Sequence, residues 1–212
     1  MTASPELAPA TEIRAYLIDE MNLALRRPGM YGGEVALELL LGHLLFVERD
    51  RDDLTECHRA WEKRGIWTST GVTGAFWWLL PKPHDHDMAS VYAEYARARG
   101  WLKPDRVLSA QEYAALRAAA RPWAERDRVW TDVTAEFGPP SVRLGGGNPR
   151  YGKVLGYLTE DPDAPVVFFH LWNGPEREEE AVLLAVRFGD GPFGETFTFT
   201  PEGHRRKPRR QG

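Results

Sequence analysis

His84-Asp-His-Asp87 holds the densest set of ligand-type side chains in the chain. In an extended segment alternate residues point to one side, so His84 and His86 would share a face. Asp87 could then complete three ligands for a zinc-type ion, and the chemistry would be metal-assisted hydrolysis. The rest of the sequence does not support such a centre. There is no HExxH, no second histidine pair and no carboxylate triad to accompany it. Pro81 and Pro83 precede the segment and a helix follows, where Asp87 is placed to cap. The expectation is therefore no metal and no cofactor, with His84, His86 and Asp87 as the residues a metal would use.

Gly147-Asn-Pro-Arg-Tyr-Gly152-Lys153 satisfies the first seven positions of a P-loop. That motif needs backbone N–H groups around phosphates at a helix start and a hydroxyl on Mg²⁺. Here Val154 stands where the hydroxyl belongs, Pro149 removes a donor, and the residues that follow read as strand. The segment should be a loop that feeds a strand and binds no nucleotide. Cys57 shares a helical stripe with Leu54 and Trp61, which predicts an inert core thiol. His43 and His170 fall in apolar stretches and should be buried, neutral and singly hydrogen-bonded. No GxSxG is present, and no catalytic set can be assembled from local spacing.

Charge and aromatic content point to binding instead. Residues 205–210 supply five positive charges, so the first 204 residues carry 22 basic and 31 acidic groups, a net of −9. An acidic body disfavours nucleic acid and steers basic proteins toward itself. The acidic run Glu48, Asp50, Asp52 and Asp53 is the stretch expected to do such steering. Eight tryptophans are present, all but Trp172 within the first 130 residues. Most should be core, because each indole buries a large area. Adjacent Trp77 and Trp78 cannot share a face, so one is expected inside and the other at an interface.

The 212 residues suffice for one full-sized domain, and 42% hydrophobic with 27% charged content excludes disorder and fibres. No apolar run approaches a membrane span, no basic-then-apolar leader opens the chain, and one cysteine cannot form an internal disulfide. These features predict a cytoplasmic protein with no membrane contact. Residues 11–137 show helical period in six stretches. Thr11 is placed to cap the first and Pro28 to end it; the second, Glu34 to Glu48, is apolar almost all round and reads as the central buried helix. Leu54 to Trp61 mark a third, Met88 to Tyr95 a fourth, a capping box at Ser109 to Glu112 opens a fifth, and Trp123 to Phe137 stripe a sixth. After Gly138-Pro139-Pro140 the period falls to two. Val154 to Thr159, Pro165 to Trp172, Ala181 to Phe188 and Thr196 to Thr200 read as strands, with Ser141 to Leu144 as a short fifth. Connections this short require antiparallel neighbours. The predicted architecture is α+β: a mainly helical part over 1–140, an antiparallel four- to five-stranded meander over 141–204 packed on it, and a basic disordered tail over 205–212.

Arg27-Pro-Gly-Met-Tyr-Gly-Gly33 is the most distinctive segment, and physically it reads as a helix–helix corner. If the corner binds something, Arg27 and Tyr31 are the contacts. The segment resembles the Arg-Pro-Gly-Met-Tyr signature in the ATPase region of type II topoisomerase B subunits. Gly42 to Arg51 likewise resembles the helix that carries that family's catalytic glutamate and metal-binding asparagine. Val47 and Arg51 occupy those two positions here, and no Asp-x-Gly-x-Gly loop follows, so the ATPase function does not transfer. The same segment also resembles small uncharacterised bacterial proteins, some of toxin–immunity type. That resemblance is local to the Arg27–Gly33 segment and implies no activity, while the topoisomerase likeness spans residues 27–51.

Taken together, these residues lead to the expectation of a non-catalytic, immunity-like or antitoxin-like protein that binds a basic protein partner. The expected contacts are Arg27, Tyr31, Trp77, Trp78, Glu48, Asp50, Asp52 and Asp53. The alternative is a small metal-dependent hydrolase built on His84, His86 and Asp87. The sequence leaves the oligomeric state open.

Overall fold

The computed structural model describes residues 8–50, 52–82, 85–174 and 179–208. Among them are eight α-helices and five strands in an α+β arrangement. Helix α1 (Ala10–Arg26) ends ahead of Pro28, and a short 3₁₀ turn over Pro28–Met30 leads into α2 (Gly33–Val47). Helices α3 (Asp52–Arg64), α4 (Thr73–Phe76) and α5 (Asp85–Ala98) follow. Then come α6 (Ala110–Trp123) and α7 (Trp130–Phe137). Ser109 accepts from the Glu112 amide while Glu112 accepts from the Ser109 amide, the reciprocal pair that the sequence spelled out. The predicted sixth helix is divided: Trp123 closes α6, and α7 begins only at Trp130.

Strands β1 (Val142–Leu144), β2 (Lys153–Tyr157), β3 (Val167–Trp172), β4 (Val182–Arg187) and β5 (Phe197–Phe199) form one antiparallel sheet in chain order. Period-two alternation sorts their side chains into two cores. Val154, Phe168, Leu184 and Phe197 face one way, against α1, α2 and α5. Leu155, Tyr157, Phe169, Leu171 and Leu183 face the other way, against Tyr113, Leu116 and Val133 of α6 and α7. Helices thus cover both faces of the sheet, which is why β3 is apolar nearly throughout.

Two expectations are corrected here. The central helix is α5, not α2: Met88 to Ala93 are all buried, and small Ala89, Ser90 and Ala93 permit close approach on several sides. Helix α2 buries Leu37, Leu41, Leu44 and Leu45 but leaves Val35, Leu39, His43 and Phe46 exposed along its outer side. His43 is therefore not a buried histidine. The basic end is not disordered from residue 205, because α8 (Pro201–Arg206) runs through it. Arg205 pairs with Asp127 at 2.6 Å, Arg206 pairs with Glu202, and Arg206 lies over the Trp172 ring. Residues 209–212 lie outside the described ones. No helix among the described residues is long and apolar enough to cross a membrane.

Candidate functional site

Three segments that the sequence singles out separately meet at one cavity of about 440 Å³. The Arg27–Met30 turn forms one wall, the loop Gly145-Gly146-Gly147 with Gly152 forms another, and Asp85 and His86 of α5 complete it. The walls are fixed to one another through backbone. The Gly145 amide donates to the Arg26 carbonyl at 2.9 Å, which ties the glycine loop to the end of α1. Gly145 has a φ of 105°, a conformation that glycine adopts without strain. The His86 ring packs over Gly152, where an added Cβ would sit 3.1 Å from its Nε2. Asp85 lies so close above the Arg27–Gly33 corner that a Cβ on Gly29 or Gly33 would come within 3.0 or 3.2 Å of its carboxylate.

Behind His86, Asp87 points inward instead of capping α5, whose first residue is Asp85. Its Oδ1 lies 2.8 Å from His170 Nδ1 and its Oδ2 lies 3.8 Å from His86 Nε2. A carboxylate oxygen only accepts, so His170 Nδ1 carries the proton and Nε2 is bare. That nitrogen is buried and has no hydrogen-bond partner among the described residues. The Phe76 and Phe197 rings lie 5.8 and 5.4 Å away, centroid to centroid. Burial holds the His170 imidazole below the usual histidine range, against the opposing hydrogen bond and charge of Asp87. The pair anchors the first turn of α5 to β3 and so sets where Asp85 and His86 stand in the cavity.

Lys153, the residue that would serve a P-loop, is the first of β2 and fully buried. Its Nζ donates to the Asn148 carbonyl at 2.6 Å and lies 3.7 Å from the Trp130 ring centre. Burial and the nearby Arg143 push the amine down to about 8, with Glu180 opposing. An unfolded lysine titrates near ~10.4, so between about 8 and that value the unfolded chain holds a proton that the folded one lacks. Stability contributed by this group therefore rises with pH in that window. The advantage of Lys153→Met over the parent in urea unfolding should shrink by up to about 1.4 kcal/mol per pH unit across it. A constant difference from pH 7 to 10 would contradict this.

A second cluster sits beside the corner. Glu34, in the first turn of α2, accepts from the Val72 and Thr73 amides and lies 3.3 Å from the Tyr92 hydroxyl. It thereby holds the segment carrying Trp77 and Trp78 against the helix carrying Val35. Both indoles are half exposed, at 48% and 50%, while Phe76, Leu79 and Leu80 take the buried positions. The expected division of Trp77 and Trp78 between core and surface does not occur. They lie in the turn after α4, where neither helix nor strand periodicity governs them. Met30 and Tyr31 are exposed at the same corner.

The acidic run is also placed differently from its expected role. Glu48 accepts from Arg14, Arg99 and Trp101 Nε1, and Asp50 pairs with Arg99 at 2.6 Å. Burial works to raise the Glu48 pKa, but hydrogen bonds from Arg99, Trp101 and Arg14 hold it below the usual range. Both carboxylates pair with arginines that join α1, α2 and the end of α5. The side chains of Asp52 and Asp53, and all of His84, lie outside the described residues. Among the described residues no three His, Cys, Asp or Glu side chains converge as a metal-ligand set. Cys57 is buried, as its stripe implied.

Sequence reasoning reached Arg27 and His86 separately and missed that they share a cavity with Gly145–Gly147. It also missed His170 as the partner of Asp87, a pairing across 83 positions that no local spacing announces. The open side of α2 was legible in principle. Val35, Leu39 and Phe46 recur at spacings of four and seven, on a helix too apolar to be covered by one layer. Comparison with family models, with curated proteins and with solved structures finds no match to this chain.

Proposed function

We propose that this chain is a non-catalytic binding protein of the cytoplasm that recognises a basic protein partner, in the manner of an immunity or antitoxin protein. The observation that carries this reading is the adjacent pair Trp77 and Trp78, both half exposed, with Val35 and Leu39 of α2 also exposed. Indoles left in water forgo a large burial energy, and binding surfaces are where such side chains are enriched. Met30 is 76% exposed and Val35 68%, and both neighbour the Glu34 joint, so the apolar surface is not one scattered residue. The charge of −9 over the first 204 residues supports a basic partner. With Glu48 and Asp50 engaged internally, steering rests on the body's overall field.

The expected contacts are Tyr31, Val35, Trp77 and Trp78, and the test is a variant set. Trp77→Ser/Trp78→Ser should melt within about 2 °C of the parent, since exposed substitutions are nearly neutral. It should lose at least about tenfold in affinity for a purified basic partner obtained by cross-linking capture and reconstituted with the chain. Parent association should slow as salt rises while dissociation changes little. Equal binding by the variant would sink this assignment of the face. A dimer in solution that the variant abolishes would assign it to self-association instead.

A further inference from the structure

We propose that the cavity between the Arg27–Met30 turn, the first turn of α5 and the Gly145–Gly147 loop binds a small dipolar molecule of amino-acid type, carrying one carboxylate and one ammonium. This goes beyond the protein-binding reading and does not depend on it. Arg27 and Asp85, both exposed, line the same open cavity. Neither forms an ion pair among the described residues, and the two do not pair with each other, whereas the preceding Arg26 is engaged; the Arg143 guanidinium lies beside the Gly147 wall and adds a second cation at that edge. Arg26 pairs with Asp105 at 2.7 Å.

Two opposite charges facing one cavity but held apart select for a ligand that is itself dipolar. A simple anion would gain Arg27 and meet the repulsion of Asp85; a simple cation would meet the reverse. An α-amino acid satisfies both ends at once, and an Arg guanidinium presents a fork suited to a carboxylate. The volume of about 440 Å³ lies within the usual range for small-molecule sites. The glycine walls let a ligand approach backbone amides closely, since Gly146 and Gly147 place no side chain in the space. The His86 ring lies against Gly152 at the cavity wall, and the next residue, Asp87, bonds His170 at 2.8 Å and so fastens the first turn of α5 to the sheet. A helix turn anchored by a buried carboxylate–imidazole pair holds Asp85 and His86 in place before a ligand arrives, which lowers the ordering cost of binding.

The experiment is calorimetric titration and thermal shift of the full chain against the twenty amino acids, with acetate and methylamine as single-charge controls. At least one amino acid should bind with one-to-one stoichiometry and raise the melting temperature, at least about tenfold more tightly than either control. Arg27→Gln and Asp85→Asn should each weaken binding by tenfold or more. Asp85 packs on the corner, so Gly146→Val supplies an independent check. A Cβ there enters open space, and the unliganded melting temperature should be unchanged while binding is lost. Failure of the whole panel to bind at millimolar concentration would overturn the proposal. So would acetate binding as tightly as any amino acid, or binding indifferent to Arg27→Gln and Gly146→Val.

Discussion

Glu94→Ala should lower the unfolding free energy by about 3–5 kcal/mol, while Arg187→Met should leave it nearly unchanged. Arg187 is fully buried on β4 and faces the core between the sheet and α5. Its guanidinium pairs with Glu94 at 2.9 Å, donates to Ser90 Oγ at 3.2 Å and lies over the Phe168 ring. Removing Glu94 leaves a buried cation without its counter-charge, whereas replacing the arginine by an unbranched apolar chain removes the desolvation cost as well. The double variant Glu94→Ala/Arg187→Met should recover most of the loss. Urea unfolding of the three variants measures this directly, and equal losses for both single variants would show that packing, not charge, dominates the site.

Gly203→Ala should cost about 3 kcal/mol through overpacking, a large effect for one methyl group. Gly203 is buried in α8, and a Cβ there would overlap the carbonyl of Leu184 on β4, where neither backbone can yield cheaply. The seat is otherwise well made. Thr200 accepts from the Gly203 amide at 3.0 Å and donates to the Leu183 carbonyl at 2.7 Å. Relief of the clash means lifting α8 from the sheet, which frees Arg205 and Arg206. Limited trypsin digestion should therefore cut the variant at these residues faster than the parent. Unchanged stability and unchanged cleavage would refute the seating.

The elements were legible where local chemistry decides them. The change of period after Pro140 and the turns at Asn173-Gly174 and Gly189-Asp190 delimit a five-stranded antiparallel sheet, and Ser109 with Glu112 marks the start of α6. What failed depended on which neighbour arrives. An all-round apolar helix such as α2 signals burial, yet α5 takes the central place because its small residues pack closer. Asp87 has the type and position of a cap, but a buried histidine on β3 outcompetes the local amides for its carboxylate. Trp77 and Trp78 sit in a turn, where neighbour alternation gives no rule. Of the cavity, only its separate pieces were legible, because their meeting rests on contacts between residues far apart in the chain.

The order of synthesis gives the internal polar contacts of α5 a further meaning. Helix α5 is complete by residue 98, yet Asp87 requires His170 and Ser90 receives Arg187. While the ribosome holds the chain short of β3 and β4, Asp87 lacks its bond to His170 and Arg187 has not reached Ser90 and Glu94, so the contacts that fasten α5 to the sheet are still unmade. The sheet itself assembles by steps between successive strands, each pairing with the strand just before it. Folding of the nascent chain is thus gated by its last third. A product truncated before Arg187 would lack the ion pair with Glu94 and the bond to Ser90 that join α5 to β4.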